Sequence, residues 1–175
     1  MGNTDLQKIL KSKLGATASI ANRLTYSIGR ALDLKLVPLD MEKLAHLSDA
    51  DLEVMDAYLF RYGSLVSNIQ DSLFKTIGEL EQEAVSTMSN RDKTNLMERL
   101  GALPSSQDFA TLAVIRNKLM HEYPEEARKH LDRINFITRE APNLVAIFLG
   151  ILRYARKFQL EIQMNDYKHL LNHYH

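Results

Sequence analysis

An all-α bundle of about five helices, up-and-down in topology, is the fold class that this sequence predicts, and three observations carry it. Apolar residues recur at three- and four-residue spacing over long stretches, which is the signature of a helix burying one face. Breakers are scarce, with Gly 7 and Pro 4 in 175 residues, too few for an architecture of short strands and tight turns. No period-2 runs bounded by turn residues, internal repeats or low-complexity segments occur. A chain of this length is expected to form one domain, residues 1–175, with a sizeable core.

Taken in order, the first helix is expected from about Asp5 to Leu34, on Leu6, Ile9, Leu10, Leu14, Ile20, Leu24, Ile28 and Leu32, with Gly15 as a weak point. Pro38 disfavours helical backbone at Val37 and so breaks the pattern, and Asp40 is placed to cap a short turn through Leu44. Ser48-Asp49-Ala50-Asp51 resembles a capping box. The helix it opens has apolar positions from Leu52 to Leu80 and is expected to run to about Gln82, far beyond the usual 11 to 12 residues. Such a rod belongs inside a bundle. Ser86 to Asn90 is polar and loop-like. Arg91 to Leu100 then forms a short helix, with Gly101 as its stop and Pro104 just beyond.

Ser105 or Ser106 caps the next helix, which should end or kink at Tyr123 because Pro124 follows. Pro124 also suits the first position of a helix, with Glu125 and Glu126 in its first turn, so a helix is expected from Pro124 to about Arg139. Pro142 is expected to begin a last one that reaches Gln163 or later.

Composition narrows the function classes. Cys 0 excludes disulfides and thiolate metal sites and suits a reducing cytoplasm. The N-terminus has no basic-then-apolar signal pattern, and the longest apolar run, Leu144 to Leu152, falls far short of the roughly 20 residues that span a bilayer. A cytoplasmic protein without membrane partners is therefore expected. Net charge is +0, yet unevenly spread: Lys/Arg against Asp/Glu is six to three in residues 1–40, six to twelve in 41–110 and ten to seven in 111–175. The middle is acidic and both ends are basic. A nucleic-acid contact would need a local patch such as Lys118, Arg128, Lys129 and Arg133, which read equally well as ordinary solvated helix faces.

Several chemistries are discounted. No Gly-rich phosphate loop or Gly-x-Ser-x-Gly elbow is present, and Gly63-Ser64 lies within a helix with no Asp-x-Asp pair after it, so the chain is not itself a nucleotidyltransferase. His169 and His173 lie one helical turn apart with His175 nearby, but no acidic third ligand or general base accompanies them, so no metal site or cofactor is assigned. His46 and His130 stand alone and are expected to be structural.

The stretch that carries chemistry is Arg116-Asn117-Lys118-Leu119-Met120-His121-Glu122-Tyr123-Pro124. At about 100° per residue, Phe109, Leu112, Ala113, Leu119, Met120 and Tyr123 form one apolar face, and Arg116 falls near its centre. A permanent cation on a burying face needs a carboxylate partner, a cleft at an interface, or an anionic ligand.

Arg116, four intervening residues, His121, one more, and Tyr123, with Asn117 directly after the arginine and Pro124 closing the motif, resembles the signature of the HEPN superfamily. Specifically, it is similar to the HepT-like ribonuclease toxins encoded beside a minimal nucleotidyltransferase antitoxin. The resemblance covers most of the chain, from about Leu52 to Phe158, and places the motif late in an all-helical domain, as in that family and in nucleotidyltransferase substrate-binding subunits.

The resemblance implies a metal-independent endoribonuclease that acts on RNA as a homodimer without a cofactor. It implies His121 as acid/base, Arg116 as phosphate ligand and Asn117 as the group that orients them, roles that suit histidine's near-neutral pKa and arginine's planar fork. It further implies that the partner transferase attaches AMP to Tyr123, adding bulk and negative charge beside the site; packing on the apolar face is the other reading of that tyrosine. A polar residue of the long second helix, Gln70 or Asp71, is expected near the catalytic pair, and Asp71 would equally serve as the carboxylate partner of Arg116. On one straight helix Arg116 and His121 lie about 140° apart, so a bend before Pro124 or pairing of two copies is needed to share one cleft. The alternative is a non-catalytic helical subunit that binds a nucleotidyltransferase or its substrate, a reading kept alive by Glu122, Glu125 and Glu126 beside the motif.

Overall fold

The computed structural model describes residues 2–121, 127–160, 162, 167 and 170, with the backbone alone at 120 and 121. Helices α1 (Asn3–Asp33), α2 (Met41–Ala45), α3 (Asp49–Ser67), α4 (Phe74–Leu80), α5 (Asn90–Arg99), α6 (Ser106–His121) and α7 (Ala127–Ala155) account for most of it. No strand occurs among the described residues, so the class is all-α. Nor is any described helix long and apolar enough to cross a membrane.

Local chemistry sets the ends. Asp40 accepts from the Lys43 backbone N–H at 2.8 Å and starts α2. Ser48 and Asp51 form the expected reciprocal capping box of α3. Ser89 and Asp92 form a second one at α5, within a stretch that composition marks only as loop; Val85–Thr87 just before it is a short 3-10 turn. Gly101 adopts φ +79 just past α5, a left-handed conformation that glycine takes without a Cβ penalty. Ser105, rather than Ser106, caps α6 by accepting from Asp108 at 3.1 Å.

The long rod expected in the middle of the chain exists, but it is not uniform. Between α3 and α4 the backbone forms a π-helical segment, Asn68–Leu73, in which hydrogen bonds span five residues, as from the Phe74 N–H to the Ile69 carbonyl. The rod packs against α1 and α7, and its π segment and flanking helices meet α5 and α6. It is consequently buried along its length, with Met55, Tyr58, Tyr62, Leu65, Val66, Ile69, Leu73, Phe74 and Ile77 all in the core. Phe74 meets Phe109 of α6 with ring centroids 5.1 Å apart and tilted planes. The Tyr58 hydroxyl lies 3.1 Å from Thr138 Oγ1 on α7, and that of Tyr62 donates to the Leu112 carbonyl on α6 at 3.4 Å. Burial pushes both phenols well above their ordinary pKa, which keeps them neutral donors.

Two expectations about the last third need correction. Pro142 begins no helix: α7 runs through it without interruption. A helix-interior proline costs about 3 kcal/mol. Here the loss is offset because Ile134, Ile137, Ala141, Leu144, Val145 and Phe148 on both sides of it are buried, so a break would strip one half of the helix from the core. The helix also ends earlier than Gln163, at Ala155, followed by a 3-10 turn Arg156–Phe158 and Gln159 at φ +57. Gln7 of α1 holds that end by donating from Nε2 to the Phe158 carbonyl at 3.1 Å. The expected helix start at Pro124 lies outside the described residues.

Gly78 marks the tightest approach around the rod, since a Cβ there would collide with the side chain of buried Val85. Gly→Ala inside a helix ordinarily stabilises by roughly 0.5–1 kcal/mol. Gly78→Ala is expected to do the opposite, destabilising by about 1–3 kcal/mol in urea unfolding. Combining it with Val85→Ala should cost less than the two single changes added together.

Candidate functional site

Of the apolar face expected on α6, Phe109, Leu112 and Ala113 are buried and Leu119 is half-buried, while the side chains of Met120 and Tyr123 lie outside the described residues. Arg116 sits half-buried among them. Its Nη1 donates to Asn117 Oδ1 at 2.6 Å, and its Nη2 donates to the Ser67 hydroxyl at the last position of α3. Nε is buried and has no hydrogen-bond partner among the described residues. No described carboxylate pairs with this guanidinium. Among the described residues two neutral oxygens hold it, and these orient its charge without neutralising it.

Ser67 is the residue that the motif missed. It lies 49 positions away, and the only signal in the sequence is a hydroxyl where the apolar pattern of α3 leaves room for one. Asp71, the expected carboxylate partner, is exposed and its Oδ1 accepts instead from Asn90 Nδ2 at 3.3 Å. The π segment separates the roles of these neighbours. Ser67 immediately precedes it and reaches Arg116, whereas Asp71 within it turns to the start of α5.

Gln70, the other supporting residue expected, lines a groove of about 530 Å³ between the π segment, α5 and α6. Asn117 lines the same groove while its Oδ1 binds Arg116, so the guanidinium anchor and the groove share one side chain. Asn95, Gln107 and Arg91 contribute further polar groups to its wall, and Val114, 50% exposed, an apolar one.

α6 remains helical through His121, which keeps the backbone positions of Arg116 and His121 about 140° apart around the axis. The side chain of His121, and Tyr123 with Glu122 and Pro124, lie outside the described residues, as do His169, His173 and His175. Among the described residues no group of His, Asp and Glu side chains is arranged to hold a metal. His130 is half-buried on α7, and burial, followed by the nearby Arg133, holds its imidazole below the usual histidine pKa. Of the basic patch considered for RNA, Lys118, Arg128 and Lys129 are exposed and Arg133 is half-buried.

No protein-family model, curated protein or solved structure matches this chain. The hydroxyl anchor has a measurable signature. Ser67→Ala is expected to lower the unfolding free energy by about 1 kcal/mol in urea titrations, because a second guanidinium donor loses its acceptor beside an already unpartnered Nε. Asp71→Ala, at an exposed surface contact, should stay within about 0.5 kcal/mol of wild type.

Proposed function

We propose that this chain is a metal-independent endoribonuclease of the HEPN superfamily, a HepT-like toxin that works as a homodimer in the cytoplasm. Its activity is silenced when a minimal nucleotidyltransferase antitoxin attaches AMP to Tyr123. The observation that carries the reading is the state of Arg116: half-buried, pinned by Ser67 and Asn117, and facing no described carboxylate. Such a cation suits an anion that arrives with the substrate, because a guanidinium whose charge is already cancelled has little left to offer a phosphate.

In this mechanism the 2′-oxygen attacks phosphorus, its proton passes to a base, the bond to the 5′-oxygen breaks and that oxygen takes up a proton. The products are a 2′,3′-cyclic phosphate and a 5′-hydroxyl. Histidine at position 121 supplies the proton transfers near neutral pH. Arg116 binds the phosphoryl oxygens as negative charge accumulates on them, and Asn117 fixes the guanidinium plane through its 2.6 Å bond. Because the two positions diverge around α6, pairing of two copies brings the residues of both motifs onto one cleft. Phe60 and Tyr26, 66% and 64% exposed on the neighbouring helices α3 and α1, offer apolar surface for such pairing.

Purified protein incubated with RNA in a metal chelator is expected to leave 5′-hydroxyl and cyclic-phosphate ends. Arg116→Ala and His121→Ala should each slow cleavage by about a hundredfold or more. Intact RNA with wild type and both variants would instead support the alternative, a non-catalytic helical subunit that binds a nucleotidyltransferase or its substrate. Co-expression with a minimal nucleotidyltransferase should add mass in multiples of AMP to the wild type and none to Tyr123→Phe; the same gain in that variant would rule Tyr123 out as the acceptor.

A further inference from the structure

The groove beside Arg116 has a composition of its own. Four carboxamides, Gln70, Asn95, Gln107 and Asn117, line it, and Arg91 is the only charged side chain among its lining residues. Each carboxamide presents a donor and an acceptor side by side, the pairing that the polar edge of a nucleobase offers in return. Val114, with Ala110 and Ala113 beside it, provides an apolar stretch of wall on α6. At about 530 Å³ the groove is within the range that holds a small ligand, and is far too small for a duplex. A wall of neutral amides also has little to offer the paired phosphate backbones of a helix.

We infer that this groove receives one unpaired base of an RNA strand, next to the phosphate that Arg116 binds. The inference rests on the ribonuclease reading and adds to it a base subsite built from residues of the π segment, α5 and α6. The geometry that connects them is Asn117, which touches the guanidinium with its Oδ1 and also lines the groove. A base seated there sets which phosphate reaches Arg116, so the groove acts as a positioning element for the cut. Arg91 lies on the α5 wall and meets the backbone of the same strand, whereas Asp71, exposed and bound to Asn90, discourages the strand from continuing over the π segment.

Two independent perturbations test this in the full-length protein. Asn95→Ala/Gln107→Ala removes two exposed carboxamides, and Val114→Trp fills the groove from its exposed wall. Binding is read by fluorescence anisotropy with a labelled octanucleotide methylated at every 2′-oxygen, which cannot be cut by 2′-hydroxyl attack. An unmodified octanucleotide of the same sequence reports cleavage in parallel. Each variant is expected to bind the methylated single strand about tenfold more weakly than wild type, the equivalent of one or two lost neutral hydrogen bonds. The matching duplex should bind wild type more weakly than the single strand does. Unchanged single-strand affinity in both variants, or a duplex that binds wild type as tightly as the single strand, overturns the inference. Free AMP binding as tightly as the octanucleotide would make the groove a mononucleotide site and also overturn it. The cleavage lane judges the ribonuclease reading separately: no cut with groove-dependent binding removes the nuclease and keeps the groove, and a cut with groove-independent binding does the reverse.

Discussion

The whole bundle depends on the burial of the rod that runs from α3 through the π segment to α4. A helix that is apolar on nearly every side is stable in water only when other helices cover it. α1 lies against all three parts of this rod, α6 and α7 against its α3 part, and α5 against the π segment and α4. Its polar atoms are arranged so that this burial leaves few of them stranded. The Tyr58 and Tyr62 hydroxyls reach oxygens on α7 and α6, respectively, and Thr76 Oγ1 accepts from Lys13 Nζ of α1 at 2.7 Å. Lys13 is consequently half-buried, and desolvation lowers its ammonium pKa despite the nearby Glu79.

The π segment lies where polar side chains part toward different neighbours. At and just before this wide turn, polar residues go to different neighbours: Ser67 to the guanidinium of α6, Gln70 to the groove, Asp71 to Asn90 at the start of α5. Wide turns of this kind are uncommon and are often found at functional sites. The segment's inner residues, Ile69 and Leu73, remain fully buried, so the core on that side is not disturbed.

Much of this arrangement was legible in the sequence, and what was not has identifiable causes. The long rod, the short capped α2, the stop at Gly101 and the burial of Phe109 and Leu112 follow from spacing and capping chemistry, which act within a few residues. Pro142 misleads because a local rule about a missing N–H competes with the burial of a whole helix face, and burial wins. The π segment is invisible to a search for three- and four-residue spacing, since Ile69 and Leu73 satisfy that spacing anyway. Arg116 was legible as an anomaly, a cation on an apolar face. Its partner was not, because a serine 49 residues away leaves no periodic trace and the nearest plausible carboxylate, Asp71, faces elsewhere.

A similar economy governs the second half of the connector after α1. Asn135 of α7 accepts from the Leu39 N–H and donates to the Leu39 carbonyl, both at 2.7 Å, so one side chain satisfies both main-chain groups of a residue outside any helix.

Among the described residues Arg116 is held by a hydroxyl and an amide and by no carboxylate, which bears on how its field behaves. Neither Ser67 nor Asn117 titrates in the range where proteins work, so these two anchors hold the guanidinium alike across physiological pH. A guanidinium in an ion pair presents a dipole whose field dies quickly with distance; one held by neutral oxygens presents a monopole. Dissolved salt, with a screening length of about 8 Å at physiological ionic strength, therefore becomes the variable that sets how far the attraction extends beyond the surface.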